Sequence, residues 1–278
     1  MTQPTSTSAT AARAALFRAL HTPGTPLLMP NAWDVGSAAL FASLGFGAIA
    51  TTSGGFAATR GRLDGAMTKD EVLTHVGELA AAVDIPVSAD LENCFSDEPD
   101  GVAATISSAV ELGLAGGSVE DFTGDRDAPI YDLAHAADRV RAAAEAAHGG
   151  PVPFVLTARA ENYLHGRKDL ADTIARLQAY QEAGADVLFA PLVVDPDDLR
   201  QLLAAVDLPV SVLVLPGAPT VGELGERGVS RISVGVAVAV AAYGAAINAV
   251  TELRDNGTAS YWDLAAVARP VIRDAFSP

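Results

Sequence analysis

VAATISSAVELGLAGGSVE, residues Val102–Glu120, reads as one complete helix-to-strand unit. A helical stretch, Val102–Leu112, stops at Gly113, and a short β-type run, Gly117–Glu120, follows and ends in an acid. Glycine at that junction supplies the left-handed cap that closes a helix. The same device precedes every second strand, at Leu44-Gly45, Leu112-Gly113, Ala183-Gly184 and Arg227-Gly228. The strands between them are entered through proline, at Ile85-Pro86, Val152-Pro153 and Leu208-Pro209. Proline blocks helix continuation and starts an extended segment.

Working outward from that unit, eight β-type runs alternate with helices: Leu27–Pro30, Gly47–Thr52, Pro86–Asp90, Gly117–Glu120, Val152–Ala158, Asp186–Ala190, Pro209–Leu215 and Val229–Val234. The helices expected after them are Val35–Leu44, Lys69–Val83, Val102–Leu112, Leu133–Ala147, Leu170–Ala183, Asp198–Val206, Val221–Arg227 and Val236–Leu253. Near-continuous apolar strands predict a parallel sheet buried on both faces, and right-handed crossovers close eight such units into a (β/α)8 TIM barrel. An open doubly wound sheet is the alternative, but no Gly-x-Gly-x-x-Gly turn follows the first run. One domain is expected over residues 1–278. It has a polar leader at 1–10, a short Ala-rich helix at Ala11–Leu20, and a C-terminal helical segment at 236–278 serving as an oligomer contact.

Composition narrows the chemistry. The chain is 50% hydrophobic and 19% charged, so its core can bury roughly three quarters of the unfolded surface. Its 34 acidic and 18 basic residues leave a net charge of −16, which repels phosphate backbones and anionic lipid head groups. Nucleic acid and membrane are therefore not expected partners. A single cysteine, Cys94, excludes an internal disulfide framework, and the N-terminus lacks the profile of a secretory signal, so a cytoplasmic setting is expected. The apolar run Val234–Val250 is interrupted by Gly235, Tyr243, Gly244 and Asn248 and is read as a buried helix, not a membrane span.

In a barrel of this kind the active site forms at the C-terminal strand ends. Four consecutive strands end in Ser53-Gly54-Gly55, in Asp90-Leu91-Glu92, in Glu120-Asp121 and in Arg159-Ala160-Glu161. Adjacent strands lie about 4.8 Å apart, which puts Asp90 and Glu120 within reach of one ion and Glu92 just beyond the tip. Oxygen ligands without clustered His or Cys favour Mg²⁺ or Mn²⁺ over Zn²⁺. Arg159 can grip a substrate carboxylate through two parallel hydrogen bonds, or it can pair with Glu161 or Glu120. Ser53, Gly54 and Gly55 can offer a hydroxyl and backbone N–H groups to a second anionic oxygen. The two lysines, Lys69 and Lys168, lie outside the strands, which argues against a Schiff-base aldolase. His165 follows Arg159 closely enough to reach the site, whereas His21, His75, His135 and His148 are expected at surface or linker positions.

These strand ends resemble those of the isocitrate lyase and phosphoenolpyruvate mutase superfamily, from about Leu27 to Leu253. Ser53-Gly54-Gly55 is similar to that family's substrate-binding Ser-Gly turn, and Asp90-Leu91-Glu92-Asn93-Cys94-Phe95-Ser96 to its Asp-x-Asp-x-Gly-Tyr-Gly metal segment. Val119-Glu120-Asp121 resembles its Ile-Glu-Asp, and Ala158-Arg159-Ala160-Glu161 its Ala-Arg-x-Asp/Glu. The resemblance implies Asp90, Glu92 and Glu120 as metal-shell acids, Asp64 as a further water-mediated one, Arg159 as the carboxylate clamp, and a last helix swapped between subunits of a homodimer or homotetramer. Two features depart from it. The loop Gly124-Asp125-Arg126-Asp127-Ala128-Pro129 carries no thiol where the lyases carry their acid/base cysteine, and the mutase-type gating loop is missing. Cys94 stands at a family glycine and is assigned to packing.

The resemblance thus implies a Mg²⁺-dependent lyase acting on a small 2-oxo or 2-hydroxy acid through a metal-stabilised enolate, by carbon–carbon cleavage or decarboxylation of an oxaloacetate-like substrate. Arg159, Ser53 and His165 are the expected catalytic groups. Phosphonate P–C chemistry and a carboxylate-binding barrel without catalysis are the alternatives. A phosphate-binding isomerase is disfavoured because Pro216 and Pro219 remove backbone donors after the seventh strand.

Overall fold

Nine parallel strands form one sheet in a computed structural model that describes residues 6–277. They are β1 (Leu27–Met29), β2 (Asn31–Ala32), β3 (Ile49–Thr51), β4 (Val87–Asp90), β5 (Gly116–Glu120), β6 (Val155–Arg159), β7 (Val187–Phe189), β8 (Val210–Leu213) and β9 (Arg231–Ser233). Each of the eight expected runs falls on a strand. The first run supplies β1 and ends at Pro30, whose ring nitrogen has no proton to donate, though its carbonyl accepts from Ala50 N at 3.0 Å; β2 follows directly beyond the expected run. β1 pairs with β9 and β2 with β3, so these two short pieces bring the ends of the sheet together into a nearly closed barrel. Gly45, Gly113, Gly184 and Gly228 have φ between +85° and +104°, the conformation the helix-to-strand junctions require.

The helices are α1 (Ser6–Ala19), α2 (Val35–Ser43), α3 (Ser53–Thr59), α4 (Lys69–Ala82), α5 (Pro99–Glu111), α6 (Leu133–His148), α7 (Leu170–Glu182), α8 (Pro196–Ala205), α9 (Val221–Glu226), α10 (Ala237–Asn256) and α11 (Trp262–Ala275). α5 and α8 start earlier than expected because Pro99 and Pro196 occupy the first turn, where a missing N–H costs nothing. α1 begins at Ser6, inside the stretch expected as a leader; residues 1–5 of that stretch lie outside the described residues. Ser53-Gly54-Gly55 is not an open turn but the first turn of α3, capped by the Thr52 side chain. A Cβ on Gly55 would lie 2.5 Å from Thr52 Cγ2 and 2.8 Å from Trp33 Cβ, so this helix start can seat only on glycine.

The expectation of a buried last barrel helix is corrected. In the single chain α10 buries only Ala239, while Val240, Tyr243, Ile247, Val250 and Leu253 are exposed. The helix is apolar on several sides, and its own barrel covers one of them. α11 packs on α2 but buries no residue fully. Among the described residues no helix is long and apolar enough to cross a membrane.

Candidate active site

Strand register brings the tips of β4, β5 and β6 together. Asp90 pairs in register with Ser118, and Glu120 with Arg159. The guanidinium of Arg159 then meets three carboxylates at once. Nη1 donates to Asp90 Oδ1 at 3.0 Å, Nε donates to Glu161 Oε1 at 2.8 Å, and Nη2 lies 3.4 Å from Glu120 Oε2. Burial alone would lower the Arg159 pKa, but Glu161, Glu120 and Asp90 outweigh it and raise it, so the side chain stays a cation. Both pairings anticipated for Arg159, with Glu161 and with Glu120, are present, and Asp90 adds a third.

The chain beyond Asp90 is held in an uncommon conformation. Glu92, Cys94 and Phe95 have φ of +52°, +59° and +57°, a region that side-chain-bearing residues occupy only under constraint. Two sets of contacts hold them there. The Glu92 carbonyl accepts from Glu120 N at 3.1 Å, extending the β4–β5 ladder past the strand end. The buried Arg139 donates through Nη2 to the carbonyls of Asn93 at 2.5 Å and Ser96 at 3.0 Å, and through Nη1 to that of Glu120 at 3.0 Å. Cys94 is fully buried, and burial pushes its thiol up to about 12, which fits the packing role assigned to it.

A cavity of about 720 Å³ opens above these tips, lined among others by Ser53, Asp64, Glu92, Glu120, Arg159 and His165. Asp64 reaches it across Gly54, where an added Cβ would come within 3.2 Å of its carboxylate. Ser53 N donates to Asp90 Oδ2 at 3.1 Å, and Gly55 N to Thr52 Oγ1 at 3.4 Å. The backbone donors expected to meet a ligand are thus partly engaged within the protein, while Ser53 itself lines the cavity. His165 stacks on Phe122 with ring centroids 4.0 Å apart, and burial lowers its pKa, so it is neutral near pH 7. His21 and His75, expected at the surface, are buried instead, under α1 and against Phe56.

Glu161 was anticipated from sequence only as a pairing partner of Arg159, and Arg139 was not singled out at all. Glu161 is buried, and its N–H is anchored on Asp121 Oδ1 at 2.8 Å; Asp121 is in turn held by Arg176 at 3.1 Å and Tyr180 at 2.5 Å. Arg139 lies mid-helix in α6, and only its contacts reveal it. The Ala-Arg-Ala-Glu spacing was a usable signal for Glu161, whereas no local signal marks Arg139.

Among the described residues no three His, Cys, Asp or Glu side chains stand ready-made as a chelating group, because Arg159 is inserted between Asp90 and Glu120. The donors nonetheless suit a hard dication. They are all oxygens, and Glu92 Oε1 is buried with no hydrogen-bond partner. Burial, followed by Asp90 and Asp64, pushes the Glu92 carboxyl up to about 7, and burial raises that of Glu120 despite Arg159. Crowded carboxylates of this kind call for more positive charge than one guanidinium provides.

The phosphoenolpyruvate phosphomutase family profile matches residues 17–254. A structure of a lyase/mutase from Burkholderia cenocepacia J2315 superimposes with a TM-score of 0.93 at 48% identity, covering 98% of this chain and 98% of that one. An uncharacterised protein of Mycobacterium tuberculosis (strain ATCC 25618 / H37Rv) is 37% identical over 241 residues, 86% of this chain and 89% of its own length. The 2-methylisocitrate lyase of Escherichia coli K12 is 32% identical over 202 residues, 70% of this chain and 67% of its own length.

Proposed function

The chain belongs to the phosphoenolpyruvate phosphomutase family, within the isocitrate lyase/PEP mutase superfamily, and from that premise we propose that it is a divalent-metal-dependent lyase cleaving a carbon–carbon bond in a small 2-oxo or 2-hydroxy acid of the oxaloacetate type. Lyases of the superfamily generally use a divalent metal. The observation that carries the reading is the Arg159 guanidinium surrounded by Asp90, Glu120 and Glu161, with the unpartnered Glu92 oxygen beside them.

Asp90, Glu92 and Glu120 would hold Mg²⁺ or Mn²⁺, with Asp64 behind them. When bound, the ion supplies positive charge against the negative charge that develops on the substrate oxygens. Arg159 exchanges an internal carboxylate for the substrate's, gripping it through paired N–H groups. Ser53 hydrogen-bonds the same acid, and Gly54 and Gly55 serve it by letting the helix turn that carries Ser53 seat against Asp64, Thr52 and Trp33. When the bond beyond the carbonyl breaks, the electron pair moves into the carbonyl, and a fixed cationic wall lowers the barrier because it needs no reorganisation. For a 2-hydroxy acid, the neutral His165 is the base that accepts the hydroxyl proton.

Release of pyruvate or glyoxylate should be followed across a panel of such acids with Mg²⁺ and with EDTA. Turnover that stops in EDTA and returns with Mg²⁺ is expected, and turnover indifferent to complete metal removal overturns the reading. The absence of a thiol from Gly124–Pro129 favours a second reading, a carboxylate-binding barrel without catalysis. Saturable, metal-dependent binding with no product from any acid would establish it.

The same proposal includes a homo-oligomer. Val240, Ile247 and Val250 on α10 and Leu264, Val267 and Val271 on α11 are large apolar side chains left exposed in the single chain, the kind of surface that a partner ordinarily covers. A second copy exchanging α10 would cover it.

A further inference from the structure

Inside the barrel, beneath Arg159, lies a second guanidinium that meets no carboxylate among the described residues. Arg231, on β9, is 4% exposed. Its Nε donates to Ser211 Oγ at 2.9 Å, and its Nη1 donates to Thr157 Oγ1 at 3.0 Å and lies 3.4 Å from His21 Nε2. His21 Nδ1 sits 2.7 Å from the Phe17 carbonyl, a contact that places the ring proton on Nδ1 and leaves Nε2 to accept. Burial holds the His21 pKa down at about 3, so it adds no charge of its own. Every partner of Arg231 is therefore neutral. Burial, with Arg159 as the other contributor, pulls the Arg231 pKa down to about 9, the direction expected of an interior cation lacking an anion.

The space around it is as unusual as the charge. Barrels of this kind are normally plugged by bulky branched side chains. Here Ala50, Ser88, Ser118 and Ser233 leave a cavity of about 290 Å³ that Arg231 also lines. The same cavity is lined by Ser53, Asp90 and Arg159, so it is continuous with the site above. Thr157, which Arg231 touches, lies two residues before Arg159 on β6 and on the same inward face, about 6.6 Å lower at ~3.3 Å per residue. Arg159 and Arg231 therefore border one and the same cavity, from different depths of the barrel. A polar hole with hydroxyl donors and an unbalanced cation is complementary to an anionic group.

We propose that this inner cavity is the subsite for a second carboxylate, so that Arg159 takes one end of the substrate and Arg231 the other, and the enzyme selects dicarboxylic over monocarboxylic acids. This rests on the functional reading above and adds the determinant of substrate class.

Malate and 2-hydroxybutyrate, which differ by a carboxylate in place of a methyl group, separate the two ideas. Their binding to the full chain in Mg²⁺ is measured by calorimetry. The wild type is expected to prefer malate at least tenfold. R231M abolishes that preference while leaving 2-hydroxybutyrate binding within about twofold. Methionine is a tolerated replacement for a buried charged group; should R231M fail to fold, S118V, which narrows the cavity without touching Arg231, is expected to weaken malate selectively. A wild type with no preference, or a preference that survives both substitutions, overturns the Arg231 subsite and leaves the upper site standing. Failure of the wild type to bind either acid overturns the functional reading itself.

Discussion

Burial holds the Cys94 thiol at about 12, so its thiolate is scarcely populated at neutral pH and it has no nucleophile to offer. C94A is expected to keep turnover within about twofold of wild type in a steady-state assay. Arg159 is the opposite case, since its geometry is its function. R159K keeps the charge but loses the planar fork that meets Asp90, Glu120 and Glu161, and kcat/KM is expected to fall by about 10²-fold or more. His21 links the interior to pH. Its folded pKa of about 3 lies below the free value of 6.5, so the ring is neutral when folded and gains a proton on unfolding. Its contribution to stability is complete above pH 6.5 and is lost as pH falls from 6.5 towards 3, with a slope of at most about 1.4 kcal/mol per pH unit. Comparing urea midpoints at pH 7.5 and 5.5, H21Q should show a smaller drop than wild type. Asp90, Glu120 and Arg159 were legible in the sequence because a strand end is a position that spacing can locate. Arg139 and Arg231 were not, because what distinguishes them is the set of carbonyls and hydroxyls they meet after the chain has closed.

At the scale of elements, the alternation of Gly-capped and Pro-entered strands was enough to locate seven of the eight units, since each device acts on neighbouring residues. The misjudged elements depend on distant ones. Ser53-Gly54-Gly55 reads locally as a turn and becomes helical because Thr52 caps it and Trp33 packs against Gly55. The segment from Asp90 to Ser96 looks like an ordinary loop, yet it holds Glu92, Cys94 and Phe95 at positive φ through Arg139. Releasing that brace should loosen the acids without altering any of them. R139M is expected to weaken Mg²⁺ binding by about 10- to 100-fold, read as a shifted metal dependence of the melting temperature. An R139M protein whose Mg²⁺ response matches wild type would separate the loop from the brace.

Over the whole molecule, net charge of −16 and a site crowded with carboxylates point the same way. An anionic substrate can settle here only where local positive charge, from Arg159 and a bound dication, overcomes the field of the chain. The exposed apolar side chains of α10 and α11 are where the proposed second copy would pack, and sequence reading took the first of these for a buried helix because composition does not say which residues end up covered. I247E, which places a charge on the exposed face of α10, is expected to halve the sedimenting mass relative to wild type if the assembly is a dimer; a wild-type monomer contradicts the swapped interface. The central claim is that one dication and Arg159 together hold an organic acid at the tips of β4, β5 and β6. Crystals grown with Mn²⁺ and oxalate test it most directly through the anomalous signal. The account predicts a single strong peak bounded by Asp90 and Glu120, with oxalate chelated between it and Arg159. Oxalate bound there with no metal peak, or a peak remote from those carboxylates, would contradict it.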